Sequence, residues 1–335
     1  MSSMSLTLRT KAVRAVTAVA IAMTTLSGAT LAGVSAASPA KAASAPILFG
    51  LHNRLDSERL STQRALGRSS ALVGYFAGWE RGLPSAAYLD RWTTQRGGVP
   101  VVHTGPAGYA PLARIINGTE DARIAAWADG TKAFGRPIMI RLMAEMNGAW
   151  EPWSTGVNGN RPGEYVLAWR HVVDMFRARG ATNAVWVWNP NRDYPGATPM
   201  ASLYPGSDYV DWIGLDIYNF GASAPSGWLP FKPMMQRSVR AIRAAAGPTK
   251  PLMINEVGCA EDSRKAAWIK GFYASLPRFG VKAVLWFDYD LKKDWRLTAT
   301  SANKTAARFA VRRNGIRGAG QLPLSDIERI VTTGS

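Results

Sequence analysis

Apolar positions along the chain fall into two alternating kinds of run. Short β-branched and aliphatic stretches of strand length are each trailed by a segment whose apolar residues recur at helical spacing. The first pair is ILFGLHN (47–53) with a helical stretch from Ser57 to Leu66, and the second is ALVGYFAGW (71–79) with Ala86 to Gln95. VPVVHTG (99–105) precedes Thr119 to Phe134, where Thr119 is expected to cap the helix. The fourth run, IMIRLMAEMNGAWEPW (138–153), precedes Gly163 to Arg179, which carries Tyr165, Trp169, Val172, Val173 and Phe176 on one helical face. AVWVWNPN (184–191) is followed only by a short helix around Met200 to Tyr204. VDWIGLDIYN (210–219) precedes Lys232 to Ala246, PLMINEVG (251–258) precedes Ser263 to Phe279, and AVLWFDYD (283–290) precedes Ser301 to Arg313.

Eight strand–helix pairs over about 270 residues predict an α/β fold, a single-domain (β/α)8 TIM barrel occupying residues 43–319. An open doubly wound sheet fits less well, because no Gly-rich phosphate fingerprint follows any strand. Residues 320–335 are expected to form a C-terminal tail with a short helix near Ser325 to Val331. At the other end, Arg9, Lys11 and Arg14 lead into an apolar run from Ala15 to Val34 and then Ala40-Lys41-Ala42. That order predicts a secretory signal peptide over 1–42 and hence a secreted protein, with no membrane contact after cleavage.

A hydrophobic content of 47% excludes a disordered or fibrous chain. The formal charge is +17, and the leader holds only four of the cations and no acid. The remainder therefore stays strongly basic, a balance suited to nucleic acid, anionic cell wall or acidic polysaccharide. Its cations, among them Arg91, Arg96, Lys132, Arg177, Lys250, Lys270, Arg312 and Arg313, lie on different predicted elements. No nucleic-acid site is expected from that scatter. The single cysteine, Cys259, forbids an internal disulfide and is expected in the core. A monomer is expected.

Barrels of this kind carry their chemistry at the C-terminal ends of the strands. Glu145 ends the fourth run and Glu256 the seventh. His103, Asn189, Asn191, Asp216, Tyr218, Trp286, Asp288 and Asp290 stand at other strand ends. Strict alternation would place Arg141, Met143 and Glu145 on one face. Two glutamates converging on one mouth match the requirement of glycosidic cleavage for one protonated and one ionised carboxyl. Trp150 and Trp153, in a loop beside Pro152, offer rings for stacking on sugar faces. His52 is a further residue that could line the mouth, whereas His171 sits on a helical pattern. No cofactor and no metal is expected: Glu261 and Asp262 read as first-turn helix charges rather than ligands.

RLMAEMNGAWEPW resembles the R-x-x-H-E-M-N-G-x-W-x-P-W segment of glycoside hydrolase family 26, and PLMINEVGC resembles the strand carrying that family's nucleophile. VDWIGLDIYN and AVLWFDYDLKKDWR are similar to the segments expected between and after them, so the likeness runs from about Ile47 to Arg313. The resemblance implies a retaining β-mannanase-like enzyme with Glu145 as general acid and base and Glu256 as nucleophile. It implies that Tyr218 bonds the nucleophile, that Asp216 and Arg141 join the polar network, and that Trp150, Trp153 and Trp286 stack on sugar. Ala144 stands where the family has His, so another group such as His103 or Asn191 is expected to take over that role, or the preferred substrate differs, or activity is lost. The partner implied is a polysaccharide, β-1,4-mannan first and mixed-linkage β-glucan next. A non-catalytic glycan-binding or wall-associated protein is the alternative, motivated by Ala144 and the basic charge.

Overall fold

The eight apolar runs form parallel strands that close on themselves. The computed structural model describes residues 45–335 apart from 107, 109 and 110, so the predicted leader, 1–42, lies outside the described residues. In chain order the first half comprises β1 (Ile47–His52), α1 (Asp56–Leu66), β2 (Leu72–Phe76), α2 (Ala86–Asp90), β3 (Val99–Thr104), α3 (Ala113–Ile116), α4 (Asp121–Phe134), β4 (Ile138–Leu142) and α5 (Glu164–Ala178). Then come β5 (Ala184–Trp188), β6 (Trp212–Ile213), β7 (Asp216–Asn219), α6 (Phe231–Ala246), β8 (Leu252–Cys259), α7 (Lys265–Ser275) and β9 (Val281–Phe287). A small hairpin, β10 (Asp290–Leu291) with β11 (Lys293–Asp294), precedes α8 (Ser301–Val311), β12 (Ile316–Arg317) and α9 (Leu324–Thr333). Parallel pairing runs β1–β2–β3–β4–β5–β6–β8–β9, and β9 pairs back onto β1. The predicted TIM barrel is therefore closed.

Three local expectations are corrected. The stretch 210–219 is two short strands, β6 and β7, broken at Gly214-Leu215, and Asp216 bridges to Asn191 instead. A Cβ on Gly214 would lie 1.9 Å from Asn189 Oδ1, so glycine there makes room for the neighbouring amide. Thr119 does not cap α4: its hydroxyl donates to Asn117 Oδ1 at 2.7 Å, and buried Glu120 takes the helix entry, held by Arg114 and Arg123 at 2.8 Å each.

The third correction concerns the tail. Strand alternation sends Leu48, Leu72, Val99, Val101, Met139, Val187, Met253, Ala283 and Leu285 into the lower barrel interior, where they pack with Ile327, Ile330 and Val331 of α9. Trp212 Nε1 donates to Val331 O at 2.6 Å. α9 thus closes the barrel floor, and residues 320–335 are part of the domain. The larger apolar cluster, with Trp169, Trp186, Trp188, Phe272 and Trp286, lies between strands and helices, and Cys259 is buried in it as expected. Above the apolar floor the inward positions turn polar, and the site begins there.

Candidate active site

Two backbone irregularities aim the glutamates. β4 ends at Leu142, and Met143 (φ 42°) and Glu145 (φ 58°) then take the left-handed conformation. Non-glycine residues hold that shape at a cost on the order of 1–3 kcal/mol, so surrounding structure must enforce it. Glu145 N donates to Asn189 O and Met143 N to Thr104 O, both at 2.8 Å, which pins the turn to the neighbouring strands. Simple alternation fails as a result: Met143 goes into the outer core, not onto the face of Arg141. In β8 the register against β9 steps from Ile254↔Val284 to Val257↔Trp286, three residues opposing two. That bulge lets inward-facing Met253 be followed by Glu256 beside Asp216, its register partner on β7.

Arg141, fully buried, is the hub. Its guanidinium donates to Glu256 Oε1, to Asp216 Oδ2 and, at 2.8 Å, to His103 Nδ1. Because arginine only donates, His103 Nδ1 accepts and its proton sits on Nε2. Burial and the Arg141 charge agree with that, pushing the His103 pKa down to about 3. Tyr218 OH donates to Glu256 Oε2 at 2.5 Å. His52, buried beneath the carboxylates, bonds Asn255 O through Nε2 at 2.8 Å and is pushed down to about 4, chiefly by burial.

Glu145 is held differently, by neutral donors. Asn191 Nδ2 reaches Oε1 at 2.6 Å and Trp150 Nε1 reaches Oε2 at 2.7 Å. Asn147 fixes Asn191 in turn through paired bonds of 2.8 and 2.9 Å with its backbone. An oxygen from each of Glu145, Asp216 and Glu256 lies within 4.8 Å of the others. Such a trio could take a cation, and the Arg141 guanidinium already supplies one between Asp216 and Glu256. One positive charge cannot neutralise three carboxylates. Burial raises Glu145, and the nearby Glu256 charge adds to it. Burial also raises Asp216, well above its usual range. For Glu256 burial works in the same sense but is outweighed by Arg141, His52 and the Tyr218 hydroxyl, so its pKa is lowered. The negative charge therefore settles on Glu256.

A cleft of roughly 490 Å³ opens over these groups, lined among others by Trp150, Glu151, Tyr194, Phe220, Phe287 and Trp295. Trp150 is 52% exposed, its ring against Gly148, where a Cβ would come within 2.5 Å, and stacked on Tyr194 at 6.0 Å. On the other wall Phe287 stacks on Tyr289 at 4.2 Å and meets Tyr218 edge-on at 5.7 Å.

Glu145, Glu256, Arg141, Asp216, Tyr218, Asn191 and Trp150 thus come together as expected from sequence. His103 does not replace the missing histidine, since it braces Arg141; Asn191 is the residue that bonds the acid. Trp153 and Trp286 are not stacking surfaces. Trp153 is 5% exposed, packed against Gly105 and donating to Ala144 O at 2.6 Å, and Trp286 is fully buried, donating to Trp295 O at 2.8 Å. Phe287, Trp295, Tyr194 and Glu151 line the cleft without having been singled out. Glu151 is pushed up to about 7, first by burial and then by the Glu145 charge.

Comparison with known proteins gives a consistent picture. Endoglucanase H of Acetivibrio thermocellus is 34% identical over 259 residues, 75% of this chain and 28% of that protein. A mannan endo-1,4-beta-mannosidase of Bacillus subtilis is 30% identical over 118 residues, 32% of this chain and 31% of that protein. The matched stretch therefore spans under a third of either relative. A GH26 beta-mannanase structure from Bacteroides ovatus superposes with a TM-score of 0.65 at 18% identity, covering 83% of this chain and 92% of that one. The sequence profile of Glycosyl hydrolase family 26 matches residues 107–293, more than half of the chain, and the chain belongs to that family.

Proposed function

We propose that this protein is a retaining, endo-acting hydrolase of a neutral β-linked polysaccharide, with β-glucan, mixed-linkage forms included, as its first substrate class. One observation carries the chemistry: two carboxyls with oxygens within 4.8 Å have proton affinities pushed apart, Glu145 up and Glu256 down. Glu145 then donates its proton to the leaving glycosidic oxygen while Glu256 attacks the anomeric carbon. Their closeness suits direct attack, for which carboxyls stand about 5–5.5 Å apart, and leaves no room for the water of an inverting mechanism. Once the glycosyl ester forms, the Glu256 charge is gone. The repulsion that raised Glu145 goes with it, so Glu145 becomes able to take a proton from the incoming water. Arg141 and Tyr218 hold Glu256 ionised and oriented throughout.

An open cleft with rings on both walls suits internal binding of a chain, which supports endo action. Support for glucan comes from the extent of the likeness to Endoglucanase H, 75% of this chain against 32% for the mannosidase. Ala144, fully buried, offers no hydrogen-bonding group where the family sequence has histidine, and that fits a changed sugar preference. Mannan, the first expectation from sequence, is the second reading, supported by the mannosidase relative. Secretion is proposed on the pattern of residues 1–42 alone, and activity in the medium of an expressing host tests it.

The decisive experiment is reducing-sugar release by the purified protein from mixed-linkage glucan, cellulose derivatives, mannan and xylan, with NMR of the first-formed anomer. Release of β-configured product from glucan is expected. Glu145→Ala and Glu256→Ala are expected to fall by about 10²–10⁴-fold or more while still folding. Turnover of either variant equal to that of an active wild type would overturn the assignment, and no release by the wild type from any of these polymers would leave a non-catalytic glycan binder.

A further inference from the structure

From Trp295 to Ser325 the chain has no Asp or Glu but carries Arg296, Lys304, Arg308, Arg312, Arg313 and Arg317. Only Arg296 has a carboxylate partner among the described residues. Lys304, Arg308 and Arg312 are spaced by four, so they follow one face of α8 with about 6 Å between successive side chains. All three are exposed, as is Arg313. The structure extends this row. Arg68, just beyond α1, donates from Nε to Val311 O at 3.0 Å, and its stem packs over Gly318. There the charges of Arg317 and Arg312 add to burial in lowering its pKa, so the three guanidiniums crowd one another. Arg64, exposed on the last turn of α1, is a further cation with no carboxylate partner among the described residues.

A helix C-terminus favours cations, and Arg68 alone reaches one of its carbonyls. Arg317 donates only to the adjacent Ile316 O at 3.2 Å, Lys304, Arg308, Arg312 and Arg313 have no carboxylate partner among the described residues, and like charges at such spacing repel. The acids on α9 do not relieve them, since Glu328 pairs with Arg136 at 2.8 Å and Asp326 faces Arg329 at 4.0 Å. β9 rises toward the mouth and α8 returns from it, so the C-terminal end of α8 lies at the base of the barrel, away from Glu145 and Glu256. The fold thus brings Arg68, distant in sequence, beside the cations of 304–317.

We infer that the base of the barrel, along the outer face of α8 and the Arg312–Arg317 turn, is a docking surface for a linear phosphodiester polymer of the cell-envelope class. Arginine suits phosphate oxygens through its bidentate fork, and a row of charges suits a repeating anion rather than a single ion. Phe309 is the one large apolar side chain exposed on α8 amid these cations, which is too few rings to stack the bases of a nucleic acid. This surface would hold the enzyme at the envelope with the cleft left open, and it does not depend on which polysaccharide is cut.

The test is binding of the purified full chain to poly(glycerol phosphate), to single-stranded oligodeoxythymidylate and to polygalacturonate, at 50 and 300 mM NaCl. Two charge-matched triples are compared: Arg308→Glu/Arg312→Glu/Arg313→Glu on the proposed face, and Lys232→Glu/Arg240→Glu/Lys270→Glu on α6 and α7. Poly(glycerol phosphate) is expected to bind best, at least tenfold more weakly at high salt. The α8 triple is expected to lose at least tenfold while the control triple stays within threefold, and both keep wild-type hydrolysis of soluble neutral glucan. Should the α8 triple misfold by its melting profile, the corresponding serine triple replaces it. Equal losses in both triples, no binding at 50 mM NaCl, or tighter binding of the oligonucleotide or polygalacturonate would each overturn the inference.

Discussion

Glu145 draws its proton affinity from its neighbours, and two of them pull in opposite directions. The Trp150 indole donates to Oε2 and favours the ionised form, whereas the Glu256 charge disfavours it. Trp150→Phe keeps a ring but removes the donor, so the alkaline limb of kcat/KM should move to higher pH. Glu151→Gln removes a group that keeps its own proton up to about 7, so that limb should stay in place. Profiles of kcat/KM against pH for the two variants check both expectations, and an unmoved limb in Trp150→Phe would show that the indole contact does not set the acid. Much of this site was legible before the structure. Both glutamates and their polar partners end strands, and strand ends are readable from runs of apolar residues. Parity was not. Val284, Leu285, Trp286 and Phe287 are all apolar, so nothing in the order of letters tells that Phe287 faces the cleft and Trp286 the outer core. Trp153 was misleading for another reason: its loop folds back and buries the ring against Gly105, a contact with no local signature.

At the scale of elements, eight strands and their helices follow the sequence pattern closely because each is a long, strongly periodic run. Departures occur where tertiary contacts take over. Gly214-Leu215 splits a continuous apolar run because Asn189 occupies the space beside Gly214, and the bulge in β8 is invisible because an extra residue leaves no compositional trace. α9 was read as a short helix in a tail: Leu324, Ile327, Ile330 and Val331 recur at helical spacing, but that pattern does not say where the apolar face docks. Its burial makes a measurable claim. Ile327 is fully buried within the barrel floor, so Ile327→Ala should cost about 2–5 kcal/mol of stability. Urea unfolding gives that difference, with kcat at 25 °C unchanged because the site lies at the opposite end. A loss under about 0.5 kcal/mol would mean that the helix is an accessory to the barrel and not its floor.

Across the whole molecule, the buried polar layer beneath the cleft ties stability to pH from both sides. His52 stays neutral in the folded protein down to about 4 but takes up a proton near 6.5 when unfolded. As pH falls through that interval the unfolded chain binds the extra proton, and stability is lost, by about 3 kcal/mol at full effect. His103 acts in the same sense, down to about 3. Glu145, Asp216 and Glu151 work the other way: each holds its proton in the fold above the pH at which the unfolded side chain releases it. Their stabilising effect is present at low pH and falls as pH rises past the usual carboxyl range, for Glu151 until about 7. The two slopes oppose each other between about 4.5 and 6.5, which places the maximum of Tm in that window. Scanning calorimetry from pH 3.5 to 8.5 should show a peak there with losses on both sides. His52→Phe should flatten the acid side if it folds, and Glu151→Gln should flatten the alkaline side without touching the acid one. A Tm that rises steadily to pH 8 would mean that the carboxyls under the cleft are ionised at no cost to the fold, and the separation of Glu145 from Glu256 would lose its physical basis.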